Sequence, residues 1–399
     1  MTAVKVFAIG KDCNQLTEQI MPFPSSQIKH IHNGNGYTIY QAEDDTLWAF
    51  GDNKHKSCCV TTLKETIRRP EQISFAFPGE EETFVKLCAC VSGHCTFFIS
   101  SQRVFGNGNN RNYQLGIKEK ESQWWRSGFR YQCEPKLIET MPTNVVDVKG
   151  TASYSISLRY SMRRVLRIYL KQLHDDALTV VEAYVGDAAP FDDEDCSLYM
   201  CGSGKFGWEA VAELKQVEIV KIECGKSHFL ALDSQGVLWA FGNNRSNECG
   251  IAGKQETSKY VNRATKVTHF EERGIKIKDM RCGWHHSLVI DVDDRVWAFG
   301  KNNFGQCGYD ADAREDACPV RLIAAFRDCK VRSIGCGVNH SHVETMQGEH
   351  FLFGRSQFNQ CTASGGASIN QLVDGEIKRV FLGVDCTHII ATATSKKLK

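Results

Sequence analysis

Apolar residues in this chain come in short runs rather than at helical spacing. Val237-Leu238-Trp239-Ala240-Phe241 and Val296-Trp297-Ala298-Phe299 each end in glycine and lead into a polar loop. Their β-branched and aromatic content suits strands covered on both faces. The pattern of an apolar run closed by glycine occurs seven times, at Gly10, Gly51, Gly106, Gly202, Gly242, Gly300 and Gly354. A second run lies ahead of such a strand, joined to it by a turn such as Asp233-Ser234-Gln235-Gly236, which reads as a hairpin. A further run opens each unit, near Ile28, Val85, Val145, Val220, Ile277, Val331 and Ile377. Helical periodicity is missing through most of the chain, which excludes an α-solenoid.

Each unit therefore predicts three strands and a connection able to supply a fourth. The chain opens with the closing half of a unit, Val6-Phe7-Ala8-Ile9-Gly10, and ends with an opening half from Ile377 onward. The two ends complete one another, as a closed ring requires. The expected fold is all-β, a seven-bladed β-propeller closed by N- and C-terminal segments that share one blade. It is read as a single domain over 1–399. The longest gap between unit glycines, from Gly106 to Gly202, holds an insertion at 159–197, expected to project from one blade.

The repeat has a specific wording. Cys224-Gly225 and His228 precede Ala240-Phe241-Gly242-Asn243-Asn244. Cys282-Gly283 and His286 precede Phe299-Gly300-Lys301-Asn302 and Gly305-Gln306, and Cys336-Gly337 and His340 precede Phe353-Gly354. This resembles the repeat of the regulator of chromosome condensation, and the likeness covers nearly the whole chain. Gly36, Ser153 and Cys386 stand where the histidine is expected in weaker units. No Gly-His…Trp-Asp pattern recurs, so a WD-repeat propeller fits less well. The resemblance implies a surface for protein partners rather than covalent chemistry. For the family's founding member it also implies guanine-nucleotide exchange on a Ran-like small GTPase, through a protruding β-wedge. Gly51, Gly106, Gly202, Gly242, Gly300, Gly354, His228, His286 and His340 are read as structural positions of the repeat.

Charge adds one exclusion. The chain carries 48 Lys and Arg against 47 Asp and Glu, a net charge of +1, so no strong nucleic-acid signal is present. Its 18 cysteines in a large chain opening MTAVKVFAIGKD, without a signal-peptide pattern, are read as free thiols of a reducing compartment. Cytoplasm or nucleus is the expected location. No apolar run is long enough for a membrane span, and a monomer is expected.

Several motifs look chemical and have a plainer reading. Gly202-Ser203-Gly204-Lys205-Phe206-Gly207 satisfies GxGxxG, yet it falls in register with the repeat and has no βαβ surroundings. The Cys-x-x-x-His pairs recur in different blades, so they are spread around a ring and do not converge on one zinc ion. Asp291, Asp293 and Asp294 lack the spacing of an EF-hand loop, and no nucleophile elbow is present. No catalytic residue, cofactor or metal is expected. The candidate partner-binding residues are Arg163, Arg164, Arg167 and Lys171 in the basic front of the insertion. Trp124 and Trp125, in the long polar inter-blade loop 118–130, are candidate hot-spot anchors.

Overall fold

Seven sheets account for every strand among the described residues of the computed structural model of the protein. It describes residues 3–10, 13–18, 27–54, 57–60, 65–75, 84–89, 94–101, 103–110, 115, 117, 124–126, 129–139, 141, 145–150, 154–159, 198–202, 205–251, 259–309, 316–355, 368–371, 373, 375–383 and 386–393. Each sheet is a blade of antiparallel strands taken mostly in chain order. The inner strands are Ile28–Asn33, Phe84–Ala89, Val145–Gly150, Ile219–Cys224, Ile277–Cys282, Val331–Cys336 and Gly375–Leu382. Each inner strand abuts that of the next blade, and the last abuts the first, so these seven strands surround the axis.

Blade 7 is built from both ends of the chain, in the order Gly375–Leu382, Cys386–Ala393, Ala3–Gly10, Cys13–Glu18. Its central seam runs from Ala3↔Ala393 to Gly10↔Cys386 without a register shift. Closure of the ring thus rests on a full strand ladder. Arg379 adds a clasp, donating to the carbonyl oxygens of Ile28 and Lys29 in blade 1 at 2.7 and 2.6 Å.

Blade 4 shows how a unit is made. Its second strand, His228–Asp233, is buried along its whole length, as a strand sandwiched between neighbouring blades must be. Leu230, Leu232, Leu238 and Ala240 pack against Met280 and Val289 of blade 5, so the core lies between blades rather than inside any one. The turn after Asp233 is wired through one carboxylate. Oδ1 accepts from the N–H groups of Gln235 and Val237, and Oδ2 accepts the indole N–H of Trp239 at 3.0 Å. Blade 5 repeats this with Asp291 and Trp297. The acidic turn at Asp291, Asp293 and Asp294 is therefore a hairpin hub.

The units differ at two places. Blade 2 has five strands, because Trp124–Arg126 pairs with Phe129–Leu137 as an added outer hairpin. Blade 6 has three strands among the described residues. In blade 3 the second and third strands, Tyr154–Arg159 and Leu198–Gly202, pair as far as Leu158↔Leu198. Residues 160–197, nearly the whole of the expected insertion, lie outside the described residues.

Candidate partner-binding face

The register of the third strand assigns the repeat positions. In every blade one glycine of that strand lies opposite the first residue of the second strand. The pairs are Gly51↔Tyr37, Gly202↔Tyr154, Gly242↔His228, Gly300↔His286, Gly354↔His340 and Gly10↔Cys386. In blade 2 this glycine is Gly108, opposite Cys95; Gly106 stands two residues earlier, opposite Phe97. Gly108 has φ +103, and a Cβ there would lie 2.3 Å from the His94 carbonyl oxygen. Gly106 has no positive φ, and a Cβ there would meet only the side chains of Ile138 and Leu115, at 3.1 Å. The same register places Tyr37, not Gly36, and Tyr154, not Ser153, at the histidine position of blades 1 and 3.

These first residues form a belt around the axis. His228 Nε2 meets Ser287 Oγ of blade 5 at 3.0 Å, His286 Nε2 meets Ser341 Oγ of blade 6 at 2.9 Å, and His340 Nε2 meets Thr387 Oγ1 of blade 7 at 3.2 Å. In blade 1 the Tyr37 hydroxyl makes the equivalent contact with Thr96 of blade 2 at 2.8 Å. Ser287 and Ser341 donate their single protons to the carbonyl oxygens of Glu248 and Gln306. His228 and His286 must therefore donate through Nε2–H, which fixes their tautomer. Nδ1 of all three has no partner, and a proton there would be an unpaired buried charge. Burial accordingly holds His228 and His340 down near about 4 and His286 near about 3. An imidazole so held is a hydrogen-bonding strut and does not shuttle protons at neutral pH.

The preceding cysteines Cys224, Cys282 and Cys336 end the inner strands and are half-buried. Burial raises the Cys282 and Cys336 thiols, the reverse of what a nucleophile needs. Cys88 donates to Asp147 and is pushed up to about 12 by burial and that carboxylate. Around blades 2 to 5 the axial wall is an ion chain. Lys86 pairs with Asp147 at 2.8 Å, Lys149 with Glu223 at 3.7 Å and Lys221 with Asp279, while Arg281 bridges Glu223 and Asp279. The described residues hold no group of His, Cys, Asp and Glu able to bind a metal. None of their helices is long and apolar enough to cross a membrane.

One face of blades 4 to 6 is different. The first-to-second-strand loops and the third-to-fourth-strand loops lie together there, tied by Asn243 N–H to Ser227 C=O, Lys301 N–H to His285 C=O and Arg355 N–H to Asn339 C=O. Asn244 and Asn302 brace the longer loops by accepting from the N–H of Cys249 and Cys307. On these braced loops sit three cation–aromatic pairs: Lys226 over Trp284 at 4.9 Å, Arg245 over Tyr260 at 5.2 Å and Arg355 over Phe304 at 5.0 Å. Tyr260 is 49% exposed and Phe304 39% exposed, so two of the aromatics remain open to a partner. None of the three cations has a carboxylate partner among the described residues.

The sequence-predicted binding residues fall elsewhere. Arg163, Arg164, Arg167 and Lys171 lie outside the described residues. Trp124 and Trp125 belong to the outermost strand of blade 2, opposite Tyr131 and Arg130 in register. Sequence reading missed Lys226, Arg245, Tyr260, Phe304 and Arg355 because they occupy variable positions of the repeat.

Models of the regulator of chromosome condensation (RCC1) repeat match residues 235–290 and 293–343, and a second such model matches 219–250 and 277–306. The chain is 31% identical over 180 residues to the human Probable E3 ubiquitin-protein ligase HERC3, covering 45% of this chain but 16% of that protein. It is 29% identical over 154 residues to the Saccharomyces cerevisiae Guanine nucleotide exchange factor SRM1, covering 38% of this chain and 30% of that protein. Whole-chain likeness is seen in solved structures. Human WBSCR16 superposes with TM-score 0.73 at 17% identity, covering 98% of this chain and 99% of the other. Prp20p from Saccharomyces cerevisiae superposes with TM-score 0.70 at 16% identity, covering 99% and 93%. Repeat wording and family models agree on RCC1-type repeats between residues 219 and 343, and the whole chain has the seven-bladed propeller fold.

Proposed function

We propose that this chain is a protein-interaction module, in which the propeller is a rigid mount for partner-binding loops. The observation that carries this reading is the contrast between its two kinds of reactive side chain. The repeat imidazoles are buried, neutral and committed to joints between blades, and the Cys282 thiol is raised by burial. The side chains left available are exposed aromatics beneath cations that no described carboxylate neutralises, on loops braced by buried asparagines. Aromatic and cationic groups on a fixed frame are the composition of binding hot spots. Sequestered free thiols also suit a reducing compartment.

A second reading, nucleotide exchange on a small GTPase, is favoured by one feature. The added hairpin of blade 2 is a structured extension on the loop face, and one relative is named as a guanine nucleotide exchange factor. Exchange needs only a wedge that stabilises the nucleotide-free partner, so it is compatible with a site lacking catalytic groups.

Release of a fluorescent guanine nucleotide from a panel of small GTPases, Ran included, separates the readings. Three proteins are compared: the intact chain, one with 160–195 replaced by Asp-Gly, and one with Trp124 and Trp125 changed to serine. The module reading expects no acceleration by any of them. Acceleration by the intact chain, lost in either variant, overturns it and names the wedge.

A further inference from the structure

We infer that the loop face of blades 4 to 6 docks an acidic, extended peptide segment of a partner protein. This deepens the module reading above and rests on it. The three cation–aromatic pairs come from consecutive blades. Lys226, Arg245 and Tyr260 belong to blade 4, Trp284 and Phe304 to blade 5, and Arg355 to blade 6. The Phe304–Arg355 pair spans the joint between blades 5 and 6, so the platform is continuous across it.

Charge gives the partner's sign. The other described carboxylates of this face are already used. Glu248 is fully buried and holds His285 at 3.1 Å, the side chain of Asn243 at 2.8 Å and the N–H of Ser246. Asp316 faces Lys301 at 3.8 Å. Among the described residues Lys226, Arg245 and Arg355 are thus left with aromatic partners alone, and a carboxylate arriving above each would complete it. Trp284 supplies a second sign of an unfinished contact: its indole N–H is buried without an acceptor.

Geometry gives the partner's shape. The inner loops of blades 4, 5 and 6 are linked edge to edge through backbone bonds, Lys226 N–H to Trp284 C=O and Trp284 N–H to Val338 C=O. They form a firm floor beside the axis, and the longer loops stand outside it. A folded domain would meet these pairs at three separated points, whereas an extended segment can run over all of them. Aromatic faces favour the flat, poorly hydrated groups of such a segment, and cations favour its Asp or Glu side chains.

The test is fluorescence anisotropy of a labelled twelve-residue peptide of alternating glutamate and serine against the full chain at low salt. One variant removes the platform cations, Lys226→Ser, Arg245→Ser and Arg355→Ser. A control removes three cations from the opposite face, Lys276→Ser, Arg327→Ser and Lys330→Ser, so net charge is matched. Saturable binding, about tenfold weaker in the platform variant and unchanged in the control, is expected. Binding should weaken as salt rises. Equal loss in both variants, or no binding by the intact chain, overturns the proposal. A twelve-base-pair DNA duplex is run beside the peptide. Tighter binding of the duplex, lost in the same variant, also overturns it and assigns the face to phosphate backbones. Cooperative thermal unfolding of both variants establishes that each is folded. The module reading is judged by nucleotide release and does not depend on this peptide.

Discussion

The Nε2 proton of His286 has one acceptor, Ser341 Oγ, because the serine's own proton is committed to the Gln306 carbonyl. This joint and that of His228 are three-member relays from one blade to the next and back to the loop before it. Removing a member leaves a buried donor or acceptor unpaired, which costs more than the bond's own net worth. Ser341→Ala should therefore lower stability by about 1–3 kcal/mol in urea unfolding. His286→Ala should cost about 2–5 kcal/mol, since it also opens a cavity. A double-mutant cycle should show the two losses to be strongly non-additive; additive losses would mean that the joint is packing alone. Gly283 is harsher still. A Cβ there would sit 2.0 Å from the His286 ring and 2.7 Å from the Gly337 carbonyl oxygen, so Gly283→Ala must move both a buried ring and a neighbouring blade. It should destabilise at least as much as His286→Ala, and recovery in Gly283→Ala/His286→Ala would identify the ring as the obstacle.

Within a blade, the hairpin hub links turn to packing. Asp291 is fully buried and accepts from two backbone N–H groups, from Arg295 and from the Trp297 indole. Asp291→Ala frees the indole and unties the turn together, and should cost about 2–4 kcal/mol by loss of a buried charge-assisted network. An unchanged urea midpoint would show that the strands hold the turn unaided. Elements of this kind also mark what was legible in the chain beforehand. Hairpins, blade count and terminal closure follow from short apolar runs and turn residues, which are local properties. Register is not local. Phe105-Gly106-Asn107-Gly108 offers two glycines, and only the approach of the His94 carbonyl distinguishes them. Tyr37 was passed over for Gly36 because its role is visible only through Thr96 of the next blade, far along the chain. The cation–aromatic pairs were hidden for the same reason: Phe304 and Arg355 lie in different repeats and meet only once the ring is closed.

Across the whole ring, the belt is uneven, and its histidines give the molecule a common weakness. Relays join blades 4, 5, 6 and 7, whereas Ser155 and Ser157 of blade 3 are buried with unpartnered hydroxyls. Native-state hydrogen exchange should find the second strands of blades 4 to 6 opening last and that of blade 3 earlier; the reverse order would separate the belt from local stability. Acid acts on all the joints at once. His32, His228, His340 and His388 are held near about 4, and His286 and His342 near about 3, by burial. An unfolded histidine titrates near about 6.5, so below that pH the unfolded chain binds protons that the folded chain refuses. Stability from these groups is complete above that pH and is lost as pH falls toward the depressed values. At pH 5 each histidine subtracts about 2 kcal/mol, and a typical domain has only about 5–15 kcal/mol in total. Asp147 and Asp279, held low by the cations beside them, extend the loss only at more acid pH. The urea midpoint should therefore fall steeply between pH 7 and pH 5, well before carboxylates titrate. Exchanging His342, whose Nε2 meets His350 rather than a blade joint, for glutamine should recover part of that loss. A midpoint flat across this interval would mean that the native imidazoles take up protons over the same range as the unfolded chain, and the neutral-relay account of the joints would be wrong.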